Sequence, residues 1–344
     1  MRSGKAEVAV LGGGVVGLST ALAILEEEDL PSVNVTIIAD AFLSSTLSFG
    51  AGGYFRPEAN IAPDFATARR WAAASYEHYS GLAVDDPASS GNSFVSGYQL
   101  SSYSAQAIRN SLVEEVLPGK VRPLSERELD GQFPKGRFKH GIFWTSVVTD
   151  PRHYLPYLHR QIAARGGRFQ QRHVEDFEEL QGEDCFDLVV NATGLQASRL
   201  TGDHLLTPIR GQTIKVVAPW IRHFYFADGA YIIPGRDYVT LGGIKDYGNG
   251  NMALSELDRQ SIWSRCTELV PSLAQAEVAF EWVGLRPQRQ PVRVELETLE
   301  FKSGKSPLKV VHNYGHGGHG ITLAWGTAKD AAGLVGKALL KSKL

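Results

Sequence analysis

Apolar residues along this chain fall into short runs separated by glycine-rich turns and by stretches with helical spacing. Glu7–Leu11 is an apolar run centred on Val-Ala-Val-Leu, the pattern of a strand buried on both faces. Gly12, Gly14 and Gly17 follow it, and Leu18–Glu28 then places its apolar positions at helical intervals, with small residues early. Asn34–Ala39 is a second β-branched run and ends against Asp40. Strand, glycine turn, helix, strand and acid, in that order, predict the opening unit of a dinucleotide-binding fold.

Further along, Thr67–Tyr79 and His153–Arg165 read as helices, the second closed by Gly166-Gly167, a helix stop signal. Phe94–Ser101 reads as a strand. Phe186–Val190 is another apolar run and leads into Asn191-Ala-Thr-Gly194, a second strand-then-glycine turn. From Gln212 to Ile244 the texture changes to the short β-runs Ile214–Val217, Tyr231–Ile233 and Val239–Leu241, which predict an antiparallel sheet in a separate domain. Leu254–Val270 is a helix candidate. Arg286–Arg293 alternates basic residues with prolines and is expected to be extended or turn-rich. The chain shows no internal repeat and no low-complexity linker, which fits domains that share several chain crossings.

Composition narrows the class without naming a function. The 344 residues suffice for two domains, and 43% hydrophobic with 21% charged residues is ordinary for a globular protein. A net charge of −2 with no dominant basic stripe argues against nucleic acid as a partner. Cys185 and Cys266 lie far apart without metal-ligand spacing, so a reducing compartment fits better than a disulfide framework. The polar lead Met1–Lys5 has no secretory pattern, and no uninterrupted apolar stretch reaches spanning length, so no membrane association is expected. Ser342-Lys343-Leu344 reads as a peroxisomal address at a free C-terminus. The expectation is a peroxisomal location and an import receptor as partner.

The densest glycine lies near the end, where Gly315, Gly317, Gly318 and Gly320 stand between an apolar run and an Ala-rich helical segment. Such turns let main chain approach a ligand closely, and a helix start beyond them adds partial positive charge. Two glycine turns at opposite ends of one chain suggest a single large ligand gripped from two sides. In the first turn, Gly12 permits the tight bend, Gly14 the approach of a pyrophosphate and Gly17 the packing of helix on strand. Asp40, 23 positions past Gly17, stands where an acid accepts from a ribose hydroxyl. This fingerprint suits FAD and NAD equally. His316 and His319 lack a carboxylate partner or third ligand in pattern, so no metal is expected.

Several separate motifs are more specific. Val8-Ala-Val-Leu-Gly12, Asn191-Ala-Thr-Gly194, Ala218-Pro-Trp220, Tyr231-Ile-Ile-Pro-Gly235, Val239-Thr-Leu-Gly-Gly-Ile244, Gly284-Leu-Arg-Pro287 and His312-Asn-Tyr-Gly-His-Gly-Gly-His-Gly320 occur in this order. In them the chain resembles, over nearly its whole length, the D-amino acid oxidase family, which includes the D-aspartate oxidases. The resemblance implies an α/β fold, with a Rossmann-like FAD-binding domain in three pieces (1–60, 145–200 and 290–344). A substrate domain with a mixed or antiparallel sheet would take 61–144 and 201–289. It also implies non-covalent FAD, a D-amino acid substrate and O2. In such enzymes hydride passes from Cα to flavin N5, the imine hydrolyses to a 2-oxo acid and ammonia, and flavin reoxidation yields hydrogen peroxide. Family members are often dimers, so a homodimer is an expectation.

Carried over residue by residue, the resemblance makes Arg286 the anchor of the substrate carboxylate, with the Tyr231 hydroxyl beside it and the Gly318 carbonyl accepting from the amine. Cofactor contacts fall on Gly12, Gly14, Val15, Val16, Gly17 and Asp40, on the loop Thr46, Ala51, Gly52, Gly53 and Tyr54, and on Val174 and Gly194. Gly317, Gly318, Gly320, Ile321 and Thr322 complete the set at the second turn. Departures from the family concern the substrate side chain. Phe224–Ala230 is shortened where animal D-amino acid oxidases carry a lid tyrosine. Lys245 stands where D-aspartate oxidases have an arginine, and His319 replaces a tyrosine or glycine. Arg56 adds a cation, with Glu58 of opposite sign two residues on. These signs conflict and leave neutral and acidic D-amino acids both open.

Overall fold

The structure, a computed structural model, describes residues 5–28, 32–119, 121–181 and 186–340. Cys185 and the terminal Ser342-Lys343-Leu344 lie outside the described residues. Among those described, fourteen strands form one hydrogen-bonded sheet. One half is parallel: Leu308–His316, Leu188–Asn191, Ala6–Leu11, Val33–Ala39 and Arg168–Gln171 lie side by side in that order. Val8, Ala9 and Val10 are completely buried, as a strand covered on both faces requires.

The other half is mostly antiparallel, with Thr207–Val217, Val239–Gly242, Ala230–Pro234 and Phe224–Ala227 in succession. It continues into Asn92–Ser101, parallel to Phe224–Ala227, and then His140–Thr149. The antiparallel strands expected from the sequence are present, but they are joined edge to edge to the parallel ones rather than detached. The joint is Glu277–Leu299, a strand of 23 residues. Its first half pairs with Thr207–Val217 as far as Gln288, and its second half pairs with Leu308–His316 from Arg293 onward. The basic, proline-spaced segment Arg286–Arg293 is therefore extended, with the register shift falling between Gln288 and Arg293.

Helices cover the parallel half. Val15–Glu26 starts at Gly14 and buries nine of its residues, which explains its small early side chains. Phe65–Asp85 is capped by Asp64, whose Oδ1 accepts from the Thr67 amide at 2.8 Å. Pro151–Ala164 starts with proline behind the Asp150 cap, where a missing N–H costs nothing. Arg165 caps its end, and Gly166 beyond it has φ +83°. The C-terminal helix Gly320–Leu340 packs on both Val15–Glu26 and Phe65–Asp85. Each glycine turn thereby leads from a strand end into one of two helices that pack on each other. No helix among the described residues is long and apolar enough to cross a membrane.

Candidate active site

One cavity of about 920 Å³ opens between the two glycine turns. Its lining runs from Asp40 past Gly12, Gly14, Val15 and Val16 to the loop residues Thr46, Ala51, Gly52, Gly53 and Tyr54. Val174 and Gly194 also line it, as do Gly317, Gly318, Gly320, Ile321 and Thr322. Arg286, Tyr231, Arg56, Lys245 and His319 line the far end. Of the residues singled out from the sequence, Gly17 alone is not on this wall. A Cβ at Gly17 would run into the Gly12 carbonyl, so its work is to seat helix on strand.

At the far end the side chains close into a ring. A Cβ built on Gly318 would meet only Arg286, at 3.8 Å from its Cδ, so two residues from separate motifs meet here at the cavity. Arg286 donates to the Ile244 carbonyl at 3.1 Å, next to Lys245, and its guanidinium reaches the Tyr231 hydroxyl. The Tyr231 ring lies 6.0 Å from Phe226, and Arg56 covers the Phe226 ring at 5.0 Å. Arg56 donates to Glu58 at 3.0 Å, and the second oxygen of Glu58 lies 3.5 Å from His319 Nε2. His319 follows Gly318 and returns the ring to its start.

Electrostatics differ around that ring. Burial raises the Tyr231 pKa, with Arg286 pulling partly the other way, so the phenol is a neutral donor at ordinary pH. The Glu58 carboxyl is held well below the usual carboxylate range by its hydrogen bond from His319 and by Arg56, against the opposing effect of burial. Lys245 is exposed and has no ion-pair partner among the described residues. His316, by contrast, is buried at the cavity wall, and its ring is engaged by the helix behind it. Its Nε2 lies 3.0 Å from Thr327 Oγ1, and the threonine hydroxyl is itself directed at the Leu323 carbonyl, so the imidazole donates.

The wall suits a long ligand with a diphosphate. A Cβ at Gly14 would meet only Ser48 Oγ, at 3.2 Å, and one at Gly320 only Val15, at 4.0 Å. Side chains at Gly14, Gly318 and Gly320 would thus protrude into the cavity rather than into protein. The first turn of the Val15–Glu26 helix carries no acidic residue, and the Val15 amide donates to Ser48 Oγ at 3.0 Å, so the positive end of the helix faces the cavity without a competing carboxylate. Thr213 Oγ1 and Trp282 Nε1, both on the wall, are buried without a hydrogen-bond partner among the described residues, as expected of groups that a ligand satisfies. At the other end Asp40 accepts from or shares a proton with His173 Nδ1 at 2.9 Å.

The profile of the FAD-dependent oxidoreductase family matches residues 7–334. The chain belongs to that family. Its cofactor is FAD, and the glycine-lined cavity is where the residues present fit it. The chain is 39% identical over 334 residues to D-aspartate oxidase from Homo sapiens, covering 96% of this chain and 94% of that protein. It is 33% identical over 340 residues to D-amino acid oxidase from Dugesia ryukyuensis, covering 98% and 99%. Among solved structures, glycine oxidase from Bacillus cereus superposes with a TM-score of 0.77 at 20% identity, over 99% of this chain and 96% of that one. At that identity the likeness is one of fold.

Three site features of this family member were not singled out from its sequence. Gly211 and Gly242 sit in strands, where glycine is unfavourable. A Cβ at Gly211 would collide with the Arg286 guanidinium, and one at Gly242 with the Tyr231 phenol. Each vacates the space its neighbour's anchor needs, and a glycine inside a β-run was the available signal. The third is His173, partner of Asp40, which shares no motif with it and meets it only through the parallel pairing of Val33–Ala39 with Arg168–Gln171.

Proposed function

We propose that this chain oxidises D-amino acids to 2-oxo acids and ammonia with FAD and O2. The observation that carries the reading is the adjacency of Arg286 and Gly318, with Tyr231 beside them, at the end of the FAD cavity. The planar fork of Arg286 would hold the α-carboxylate in two parallel hydrogen bonds. Tyr231, kept neutral by burial, would add a third donor without adding charge. The main chain at Gly318 is left for the amine, with no side chain between. Bulky walls from Phe226 and Tyr54 exclude water behind the substrate. The chemistry that FAD supplies when bound is acceptance of hydride from Cα and return of the electrons to O2 as hydrogen peroxide. Orientation is therefore most of what the protein must contribute.

The test is peroxide release from a panel of D- and L-amino acids, read on wild type and on Arg286→Leu. Wild type should act on D-enantiomers alone. The variant should keep its flavin absorbance and lose on the order of 10³-fold in kcat/KM, the consequence of removing one partner of a desolvated charge pair. Near wild-type kinetics in Arg286→Leu would reject the anchor.

A second reading, oxidation of acidic D-amino acids, is favoured by Lys245, a cation on the cavity wall next to the Arg286–Ile244 contact. Lys245→Ala should then impair D-aspartate and spare D-alanine. Non-covalent FAD is supported by Cys266, which is buried with its thiol pushed up to about 12 by desolvation and is not on the cavity wall. Flavin released by acid precipitation would confirm it. Ser342-Lys343-Leu344 supports peroxisomal import, which a fluorescent fusion ending in these residues would test.

A further inference from the structure

The side of the ring opposite Arg286 carries a charge arrangement that the oxidase chemistry does not use. Arg56 and Glu58 both line the cavity, with side chains about a quarter to a third exposed (27% and 32%). The guanidinium lies over the Phe226 face and donates to one Glu58 oxygen at 3.0 Å, while the other oxygen faces His319 Nε2 at 3.5 Å. Both oxygens are thus engaged, one on each neighbour. Without the carboxylate, Arg56 and Lys245 would be two uncompensated cations near the substrate, in addition to Arg286. With it, the Arg56 side of the pocket is electrically neutral and only Lys245 remains. Lys245 is exposed, so its pull on a substrate carboxylate is largely screened by water.

We propose that Glu58 is a specificity-determining residue: by occupying Arg56 it holds back D-substrates with anionic side chains and keeps the pocket open to neutral ones. This rests on the D-amino acid oxidase reading of the site. A substrate side-chain carboxylate reaching Arg56 must displace Glu58 or sit beside it, and like charges at such distance repel. The same carboxylate ties the segment after the flavin loop to the turn at Gly318, so the discrimination is built into the wall next to the amine site.

The test uses the FAD-loaded protein and two simple carboxylates, propanoate and succinate, titrated against the absorbance of the bound flavin. Glu58→Gln keeps the size and the hydrogen-bond acceptor for Arg56 but removes the charge. It should tighten succinate about tenfold and leave propanoate within about twofold. The ratio of kcat/KM for D-aspartate over D-alanine should rise by a similar factor. Adding Arg56→Met to Glu58→Gln should return both ratios toward wild type, which a merely structural role for Glu58 would not do. Unchanged or weakened succinate binding in Glu58→Gln overturns the proposal. If the titrations shift as stated but no D-amino acid yields peroxide, the charge assignment stands and the oxidase reading falls. If substrates turn over and neither ratio moves, the reverse holds.

Discussion

The two glycine turns that grip the cavity are built on opposite principles. In the N-terminal turn the glycines are demanded by the protein itself. Gly12 has φ +119°, and a Cβ there would strike the Ala192 carbonyl; Gly13 would strike the Ala41 carbonyl, and Gly17 the carbonyl of Gly12. Backbone is locked to backbone, and only Gly14 looks outward. In the C-terminal turn Gly315 and Gly317 have positive φ, of 97° and 54°, and a Cβ there would strike the Arg289 and Gln288 side chains; Gly318 and Gly320 have ordinary φ, and a Cβ at either would come no nearer than 3.8 Å to a neighbour. That turn is buttressed by side chains: His316 to Thr327, Tyr79 Oη to the Ile321 carbonyl at 2.6 Å, and Thr322 Oγ1 to the Tyr54 carbonyl at 3.3 Å. The first turn is glycine because the backbone requires it nearly throughout; the second is so at Gly315 and Gly317, while Gly318 and Gly320 leave room for a ligand. A glycine count in the sequence cannot separate these causes.

The comparison breaks most visibly at Gly12. Gly12→Ala combines a disallowed φ with a backbone collision, and strain of this kind costs about 1–3 kcal/mol before the collision is added. The variant should give little soluble, folded protein, judged by far-UV circular dichroism and by urea unfolding without added FAD. Gly318→Ala should do the reverse. Its unfolding midpoint without FAD should stay at the wild-type value, because the new methyl group meets nothing nearer than Arg286 Cδ. Turnover of D-alanine should fall on the order of 10²-fold, the scale of a misplaced reactant. A Gly318→Ala protein that unfolds early, or a Gly12→Ala protein that is stable, would erase the distinction.

Much of the architecture was legible because local signals agreed with the global fold. The first strand, its glycine turn, the helix and Asp40 follow one another within forty residues, so periodicity and turn chemistry suffice. The capping sequence at Ser125–Glu128 was equally local and was still missed; Ser125 and Glu128 form a reciprocal box that starts the Glu126–Gln132 helix. The joint between the sheet halves was harder. Nothing local says that Glu277–Leu299 is one strand with two partners, since its prolines read as breaks and one partner, Thr207–Val217, lies some sixty positions upstream while the other follows it directly. The ring around the pocket was partly legible: Arg286, Tyr231 and Gly318 come with motifs, whereas the Glu58–His319 contact joins positions 58 and 319 without any shared pattern. Contacts made by folding, rather than by spacing, are what a lone sequence withholds.

The side-chain buttress of the second turn predicts a sensitivity that the backbone-locked turn lacks. His316 is buried, and desolvation, with His319 adding to it, lowers its pKa from 6.5 to about 3. Between those values the unfolded chain binds a proton at this residue and the folded one does not, so stability falls as pH drops through the window. From pH 7 to pH 5 this single imidazole should remove about 2 kcal/mol of unfolding free energy. His316→Gln, which can still donate to Thr327, should lessen the decline between those pH values by that amount. His78 and His312, also lowered, to about 3 and about 4, remain in the variant and set the residual slope. Chemical denaturation of the FAD-free protein at the two pH values measures it. Equal slopes in variant and wild type would mean that the turn is held by its helix alone, and that the proposed division between backbone and side-chain support is wrong at its most exposed point.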